Sequence, residues 1–488
     1  MENFSINRNF LKWSSIFTIF LLFAFSLAVK INLPTADLGR HIKNGEIILN
    51  GTSEQRSSIL HTNFYSYTET DFPFINHHWL SGVVFYITEK AAGFKGLSIL
   101  YILLSLATLW LFFRIAWDKA GLLPSLTLAL LAIPVIASRA EVRPEVFTYF
   151  FCGLFFYICE RVSSRQISAK WLYALPLLEI VWVNLHSGFI FGIFIAGIYF
   201  FNSLICKKDL IKYFLISLIL ISAATVINPS GIQGSLVPFT IFNNYGYKIV
   251  ENQSIPFLEN LGVGNKVAFA GFKVLLAVAI LSLILSFRKK VNFPQTVFAT
   301  TFAVMSYLAI RNFPLFGYFA VPAAAIYFSK TIWVRSALAA MVITGLFLTL
   351  STIDNYSGAF GIGLRSGVNN AAEFFKTQSL KGPIFNNYDI GGYLIYHLYP
   401  QEKVFYDNRP EAYSADFSQE VYVASLERPE LFKKLDEKYN FNAIFFYHRD
   451  HTPWAQEFLI RIVKDPEWVT VFADDDNIIL VRKSKLNP

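Results

Sequence analysis

The chain has 488 residues, of which 54% are hydrophobic, 17% aromatic and 16% charged, against about 25% charge in an ordinary soluble domain. That apolar excess, with 50 phenylalanines among it, exceeds what one core buries, so much of it must face lipid. The net charge of +8 is uneven: residues 354–488 hold 15 Lys and Arg against 19 Asp and Glu, a net of −4, and the remainder 27 against 15, a net of +12, which excludes a nucleic-acid partner and points to loop topology.

The first apolar run, about 14–32, follows Arg8 and Lys12. It is long and has no small-x-small cleavage site before Lys30, so it reads as an uncleaved transmembrane helix rather than a signal peptide. A spanning helix needs roughly 20 mostly apolar residues. Eleven spans are predicted, near 14–32, 96–117, 121–138, 146–160, 172–185, 188–206, 211–228, 268–287, 294–310, 313–329 and 335–353. Short spans are tolerated where a helix end lines a wet cavity. Lys and Arg mark alternate loops: Arg8/Lys12, Lys119, Arg161/Arg165/Lys170, Lys207/Lys208/Lys212, Arg288/Lys289/Lys290 and Lys330/Arg335. This pattern puts the N-terminus in the cytoplasm, and eleven spans put the C-terminal domain outside. Cys152, Cys159 and Cys206 all lie in apolar stretches, which assigns them to helix packing and leaves the tail without a disulfide framework.

Two outer loops are long, about 33–95 and 229–266. In the first, Leu38, Ile42 and Ile47–Leu49 predict a short amphipathic helix starting near Asp37, and Trp79 to Ala92 a second, both lying at the membrane surface. The domain division is thus 1–353, membrane-embedded and including the loop 33–95, and 354–488, soluble. In the tail, β-rich runs are predicted at Pro383–Tyr388, Lys403–Tyr406, Ala443–Tyr447, Trp468–Phe472 and Asn477–Val481, with helices at Val368–Gln378, Ser418–Glu427 and Pro429–Lys438. Alternating strands and helices define a small α/β domain, closed by a hairpin turn at Asp474-Asp475-Asp476-Asn477.

Polar residues gather at the outer ends of the spans, where ionisable groups are functional candidates. They include Thr35-Ala36-Asp37-Leu38-Gly39-Arg40-His41, Asn76-His77-His78-Trp79, Ser138-Arg139-Ala140-Glu141-Val142-Arg143-Pro144-Glu145, Asn184-Leu185-His186-Ser187-Gly188, Asn228-Pro229-Ser230-Gly231 and Arg311-Asn312-Phe313-Pro314. Together they can build one cavity. Asp37 suits a helix N-cap and equally a general base for an acceptor hydroxyl. Asp37 and His41, with His77 or His78, offer a loose divalent-cation set, against a plain histidine network. Arg139 and Arg143 either bind a lipid phosphate or pyrophosphate, or pair with Glu141 and Glu145. His186 caps its turn or touches a ligand phosphate or sugar. Tyr406-Asp407-Asn408-Arg409-Pro410 reads as a turn that holds the small domain together.

The layout resembles the GT-C glycosyltransferase superfamily, which includes oligosaccharyltransferases, protein O-mannosyltransferases and aminoarabinose transferases. The resemblance rests on a first helix followed by a large outer loop with two helices, and on the acidic Asp37 at its start. More closely the chain resembles a bacterial family with the turns read here as Asp37-Leu38-Gly39-Arg40-His41, Tyr65-Ser66-Tyr67-Thr68, His78-Trp79-Leu80, Arg143-Pro144-Glu145, Trp182-Val183-Asn184-Leu185-His186, Asn228-Pro229-Ser230-Gly231, Asn387-Tyr388-Asp389-Ile390-Gly391-Gly392-Tyr393-Leu394 and Asp407-Asn408-Arg409. It departs from the O-mannosyltransferases at Asp37-Leu38, where those carry Asp-Glu.

The resemblance implies a membrane glycosyltransferase of the bacterial inner membrane that uses a polyprenyl-phosphate-linked sugar, with a lipid, glycan or protein acceptor. It implies Asp37 as the catalytic residue, and Arg40, His41, His78, Arg139, Arg143 and His186 as substrate or lipid-phosphate ligands. No certain cofactor follows, and no metal ligand is assigned, a divalent cation being allowed. The alternative is a non-catalytic GT-C-like protein that binds or hands on lipid-linked glycans. A transporter would show symmetric halves; none is visible, and Glu179 is the main mid-span charge.

Overall fold

The computed structural model describes residues 8–243, 246–247, 249–285, 292–328 and 334–485. The basic groups Arg288/Lys289/Lys290 and Lys330, and the side chain of Arg335, lie outside the described residues. A helix stands at each of the eleven predicted spans: α1 (Arg8–Leu27), then α2 (Leu38–Asn50) and α3 (Ser53–His61) in the first loop, then α4 (Trp79–Ala120), α5 (Leu122–Ile136), α6 (Glu145–Ser163), α7 (Leu175–Leu185), α8 (Ile190–Cys206) and α9 (Ile211–Ala224). After α10 (Gly231–Thr240) and α11 (Ile255–Asn260) come α12 (Lys266–Leu285), α13 (Phe293–Leu308), α14 (Phe313–Phe328) and α15 (Val334–Asn355). Among the described residues, seven helices are long and apolar enough to cross a membrane. The helices at the predicted spans 172–185, 211–228, 294–310 and 313–329 are shorter than that, at 11, 14, 16 and 16 residues.

The predicted surface helix 79–92 and the span 96–117 are the two limbs of α4. They meet at Gly93, whose φ of 61° and ψ of −167° break the helix in a region open almost only to glycine. Helix α5 is apolar all round and nearly every residue is buried, as expected of a helix central to a bundle. Phenylalanines fill the space beside it: Phe112, Phe156, Phe298 and Phe302 all pack on Phe319. Far along α6, Glu160 pairs with Lys119 and accepts bonds from Tyr199 (2.5 Å) and Gln295 (2.6 Å). It ties four helices together about 22 Å from Glu145 at the other end of α6. Cys152 and Cys159 are buried as expected, but Cys206 is exposed, because it ends α8 beyond the packed face.

Helix α2 is amphipathic but does not lie open on a surface. Its Gly45 crosses Gly82 of α4 so closely that a Cβ there would sit 2.1 Å from the Gly82 carbonyl oxygen. On another side α2 meets the tail, where a Cβ on Gly39 would lie 2.9 Å from the carbonyl oxygen of Gly392. Helix α3, absent from the sequence reading, starts with a capping box between Thr52 and Gln55.

The tail holds α16 (Asn370–Thr377), α17 (Gly391–Leu398), α18 (Ala424–Glu427), α19 (Pro429–Tyr439) and α20 (Pro453–Ile462). They pack on a sheet of β1 (Ile384–Asn386), β2 (Ala443–Tyr447), β3 (Trp468–Ala473) and β4 (Asn477–Arg482), in the order β1-β2-β4-β3. β1 and β2 are parallel; β4 is antiparallel to β2 and to β3. The turn joining β3 to β4 is held by Asp474, whose Oδ1 accepts the amides of Asp476 and Asn477. The predicted strand Lys403–Tyr406 does not join the sheet. Val404 instead bridges Ser66 of the first loop, because that loop supplies the backbone partner. Arg409 and Asp407 form a fully buried bidentate pair that also reaches Asn63. Glu69 accepts both the amide and the hydroxyl of Ser414. The first loop and the tail are therefore stitched into one layer above the bundle.

Candidate active site

One cavity of about 1260 Å³ opens between the bundle and the tail. Its polar wall includes Asp37, Arg40, His41, His77, His78, Arg143 and His186; Glu251, Arg311, Asp389 and Asn408 also face it. The cavity also has an apolar flank, with Ile190, Phe191, Pro238, Ile241, Leu261 and Met305. Of the residues singled out by sequence, Arg139 does not line the cavity.

Asp37 stands at the N-cap position of α2 but its side chain caps nothing. The carboxylate turns to Arg143, 3.5 Å away, and keeps 26% exposure. Burial raises its pKa from the usual carboxylate range, against the pull of Arg143 and then Arg40. A raised carboxylate is a better proton acceptor near neutral pH.

The arginines divide sharply. Arg143 contacts Glu141 (2.7 Å) and Glu251 (3.0 Å) as well as Asp37. Arg139 is held by Glu251 (2.6 Å) and Glu145 (3.0 Å), and Arg311 also reaches Glu145 (3.3 Å). Burial raises the Glu251 carboxyl, but Arg139 and Arg143 outweigh it and hold the group down at about 2. Arg40 is different. It is 4% exposed, its Nε–H donates to Asn408 Oδ1 at 3.3 Å, and among the described residues no carboxylate lies within ion-pair distance. The Asp37 and Glu411 carboxylates act on it only from beyond ion-pair distance, so the cost of burying this cation is incompletely offset and Arg40 has much to gain from an anion.

The four histidines pack ring on ring: His77 on His78 at 3.8 Å, His78 on His186 at 5.0 Å and on His41 at 5.2 Å. Trp79 donates to Asn184 (2.8 Å) and Ser81 to the Leu185 carbonyl (2.6 Å), which clamps the start of α4 to the end of α7 and so His78 to His186. His186 Nδ1 accepts the Gly188 amide (3.0 Å) beside the Thr148 hydroxyl (2.8 Å), which leaves the proton on Nε2. Burial keeps all four rings neutral at pH 7, with His77 at about 3 and His186 at about 4. The divalent-cation set weighed from sequence does not converge. Among the described residues no group of three His, Cys, Asp or Glu side chains is placed to hold a metal. The Asn228-Pro229-Ser230-Gly231 turn lies off the cavity and closes on itself, with Asn228 Oδ1 accepting the Ser230 amide at 2.9 Å.

Glu251 and Asp389 were not singled out as site residues by sequence reasoning. Glu251 sits in the 229–266 loop with no motif of its own, so nothing in the sequence marked it. Asp389 was visible only inside the Asn387–Leu394 stretch. Its pKa is raised to about 7 by burial, then by Asp450 and Asp37, against Arg143.

The overall fold of the chain is shared with proteins of known structure. One of them is ArnT from Cupriavidus metallidurans in the apo state, with a TM-score of 0.57 over 96% of this chain and 97% of that one. Identity is 10%, so the likeness is one of fold. No protein-family model matches the chain, and no curated protein matches its sequence.

Proposed function

We propose that the protein moves a sugar from a polyprenyl-phosphate-linked donor to a hydroxyl of a lipid, glycan or protein acceptor, at the extracytoplasmic face of a bacterial inner membrane. The observation that carries this reading is one amphipathic cavity holding a carboxylate, a buried arginine without a carboxylate partner and an apolar flank. A lipid phosphate has the matching parts: an anionic head for Arg40 and a hydrocarbon chain for the flank of Ile190, Phe191, Pro238, Ile241, Leu261 and Met305.

In this scheme Asp37 accepts the proton of the acceptor hydroxyl as that oxygen bonds to the anomeric carbon. The bond from that carbon to the phosphate oxygen breaks, and its electron pair leaves on the phosphate. Arg40 stabilises the charge that develops there. Arg139 and Arg143, saturated by carboxylates, act as positioning residues instead: Arg143 holds Asp37, and Arg139 holds Glu251 in place beside it. Neutral His186 presents an N–H donor and His41 an imidazole nitrogen that is buried without a partner, both suited to phosphate oxygens or sugar hydroxyls.

The test is transfer in proteoliposomes from a panel of radiolabelled polyprenyl-phosphate sugars to lipid, glycan and protein acceptors. Labelled acceptor formed by the wild-type protein supports the reading. No transfer with any donor, together with retained binding of farnesyl phosphate, favours a protein that binds or hands on lipid-linked glycans.

A further inference from the structure

The cavity has a wall that the lipid-phosphate chemistry leaves unused. It belongs to the tail. β1 and β2 are parallel and adjacent, and each is followed within three residues by an aspartate, Asp389 after Asn386 and Asp450 after Tyr447. The carboxyl ends of parallel strands are where open α/β sheets bind ligands, and here those ends face the cavity.

The two aspartates are not equivalent. Asp450 is 3% exposed and already engaged: Oδ2 accepts from Asn387 (3.0 Å), and Oδ1 from the Thr452 amide (3.0 Å) and hydroxyl (2.7 Å). It serves to brace the loop. Asp389 lines the cavity itself, close enough to Asp37 to feel its charge. Its position is rigid. Gly391 packs so tightly that a Cβ would lie 2.5 Å from the Asp407 Cα, and Gly392 so that one would lie 3.2 Å from the Ala36 carbonyl oxygen, one residue before Asp37.

Two further observations point to a polyhydroxylated ligand. Tyr388, the neighbour of Asp389, stacks on Tyr247 at 4.4 Å, and both residues line the cavity, so aromatic surface lies beside the carboxylate. Asn408, 8% exposed on the same wall, has an Nδ2 group without a partner while its Oδ1 holds Arg40. Carboxylate, amide and aromatic surface are the groups that recognise the hydroxyls and C–H faces of a pyranose.

We propose that Asp389 and Asn408 of the tail form the acceptor subsite, which takes a sugar of the acceptor and presents its hydroxyl to Asp37 across the cavity. The inference rests on the transferase reading for its role, but its binding chemistry is tested without a donor. Asp389 is a positioning residue: it takes no part in bond making and acts by holding the acceptor.

The experiment uses the full chain in nanodiscs and saturation-transfer NMR with a panel of mono- and oligosaccharides. The wild type is expected to bind at least one glycan, about tenfold or more weaker in Asp389→Asn and within about threefold of wild type in Asp37→Asn. Farnesyl phosphate binding serves as the folding control and stays unchanged in both variants. A wild type that binds no glycan, or an Asp389→Asn protein that binds as well as wild type, overturns the proposal. Where transfer is measurable, Asp389→Asn raises the acceptor KM and leaves the donor KM alone. An equal loss in both, with farnesyl phosphate binding also lost, would make Asp389 a structural residue and also overturn it. Failure of transfer in the wild type alone sinks the transferase reading and leaves the glycan result standing.

Discussion

Arg40 separates binding from stability within one side chain. It is 4% exposed and, among the described residues, makes one hydrogen bond, at 3.3 Å to Asn408, and no ion pair. The desolvation of its guanidinium is therefore poorly offset in the free protein, and removing such a charge is commonly neutral or stabilising. With a phosphate bound, the same group gains charge-assisted hydrogen bonds worth about 1.5–3 kcal/mol, or about 10- to 150-fold in affinity. Arg40→Met is expected to weaken farnesyl phosphate binding by that factor and to leave the Tm of the ligand-free protein unchanged or higher. Arg40→Lys, which keeps the charge but loses the forked geometry, falls between. Titration of farnesyl phosphate into nanodisc-embedded protein gives the first quantity and a thermal melt the second. A fall in Tm with unaltered phosphate affinity would refute the reasoning and make Arg40 a structural residue.

Three other outcomes follow from the same contacts. Arg143→Gln strips Asp37, Glu141 and Glu251 of their shared cation; breaking such a partly buried network costs about 3 kcal/mol, so its Tm falls where that of Arg40→Met does not, and equal melts for the two would contradict the division between them. His77 and His186 are held near 3 and 4, below the unfolded value, so the unfolded chain takes up protons first as pH falls. Each then contributes stability that is present above about pH 6.5 and lost towards pH 4, at about 1.4 kcal/mol per pH unit, and a Tm that stays flat from pH 7.5 to 5, or a His77→Gln variant with the wild-type slope, would disprove it. Gly45→Ala forces a Cβ to 2.1 Å from the Gly82 oxygen, which shifts α2 and with it Asp37. We expect about 1–3 kcal/mol of destabilisation together with loss of activity, and full activity in this variant would show that α2 does not set the position of Asp37.

The membrane bundle was legible because lipid imposes a length and composition on every span, and each of the eleven predicted stretches carries a helix. Where the structure shortens them, as at Leu175–Leu185, a 3-10 turn at Ala169–Ala174 takes up the start of the predicted span, and hydropathy does not register that change of helix type. The gathering of Asp37, His78, Arg143 and His186 around one space followed from their common position at span ends. The roles within that space did not. Arg139 and Arg143 stand beside Glu141 and Glu145 in the chain, but Glu251 lies more than a hundred residues later and meets them only through tertiary packing. Arg40 was grouped with Arg139 and Arg143 as a phosphate ligand, and only the structure separates it from them, since those two are ion-paired and it is not. Lys403–Tyr406 has a strand's pattern, yet its bridge goes to Ser66, since pairing partners are chosen by topology rather than propensity. Helix α20 was overlooked because a ten-residue amphipathic segment opened by Pro453 gives a weak periodic signal.

The most direct measurement is single-turnover transfer by the wild type and Asp37→Asn in proteoliposomes, with a radiolabelled polyprenyl-phosphate sugar and its acceptor both saturating. The account predicts that Asp37→Asn binds farnesyl phosphate like the wild type and slows transfer by about 10²- to 10⁴-fold, the contribution of a positioned general base. Transfer at the wild-type rate by a folded Asp37→Asn protein would contradict it.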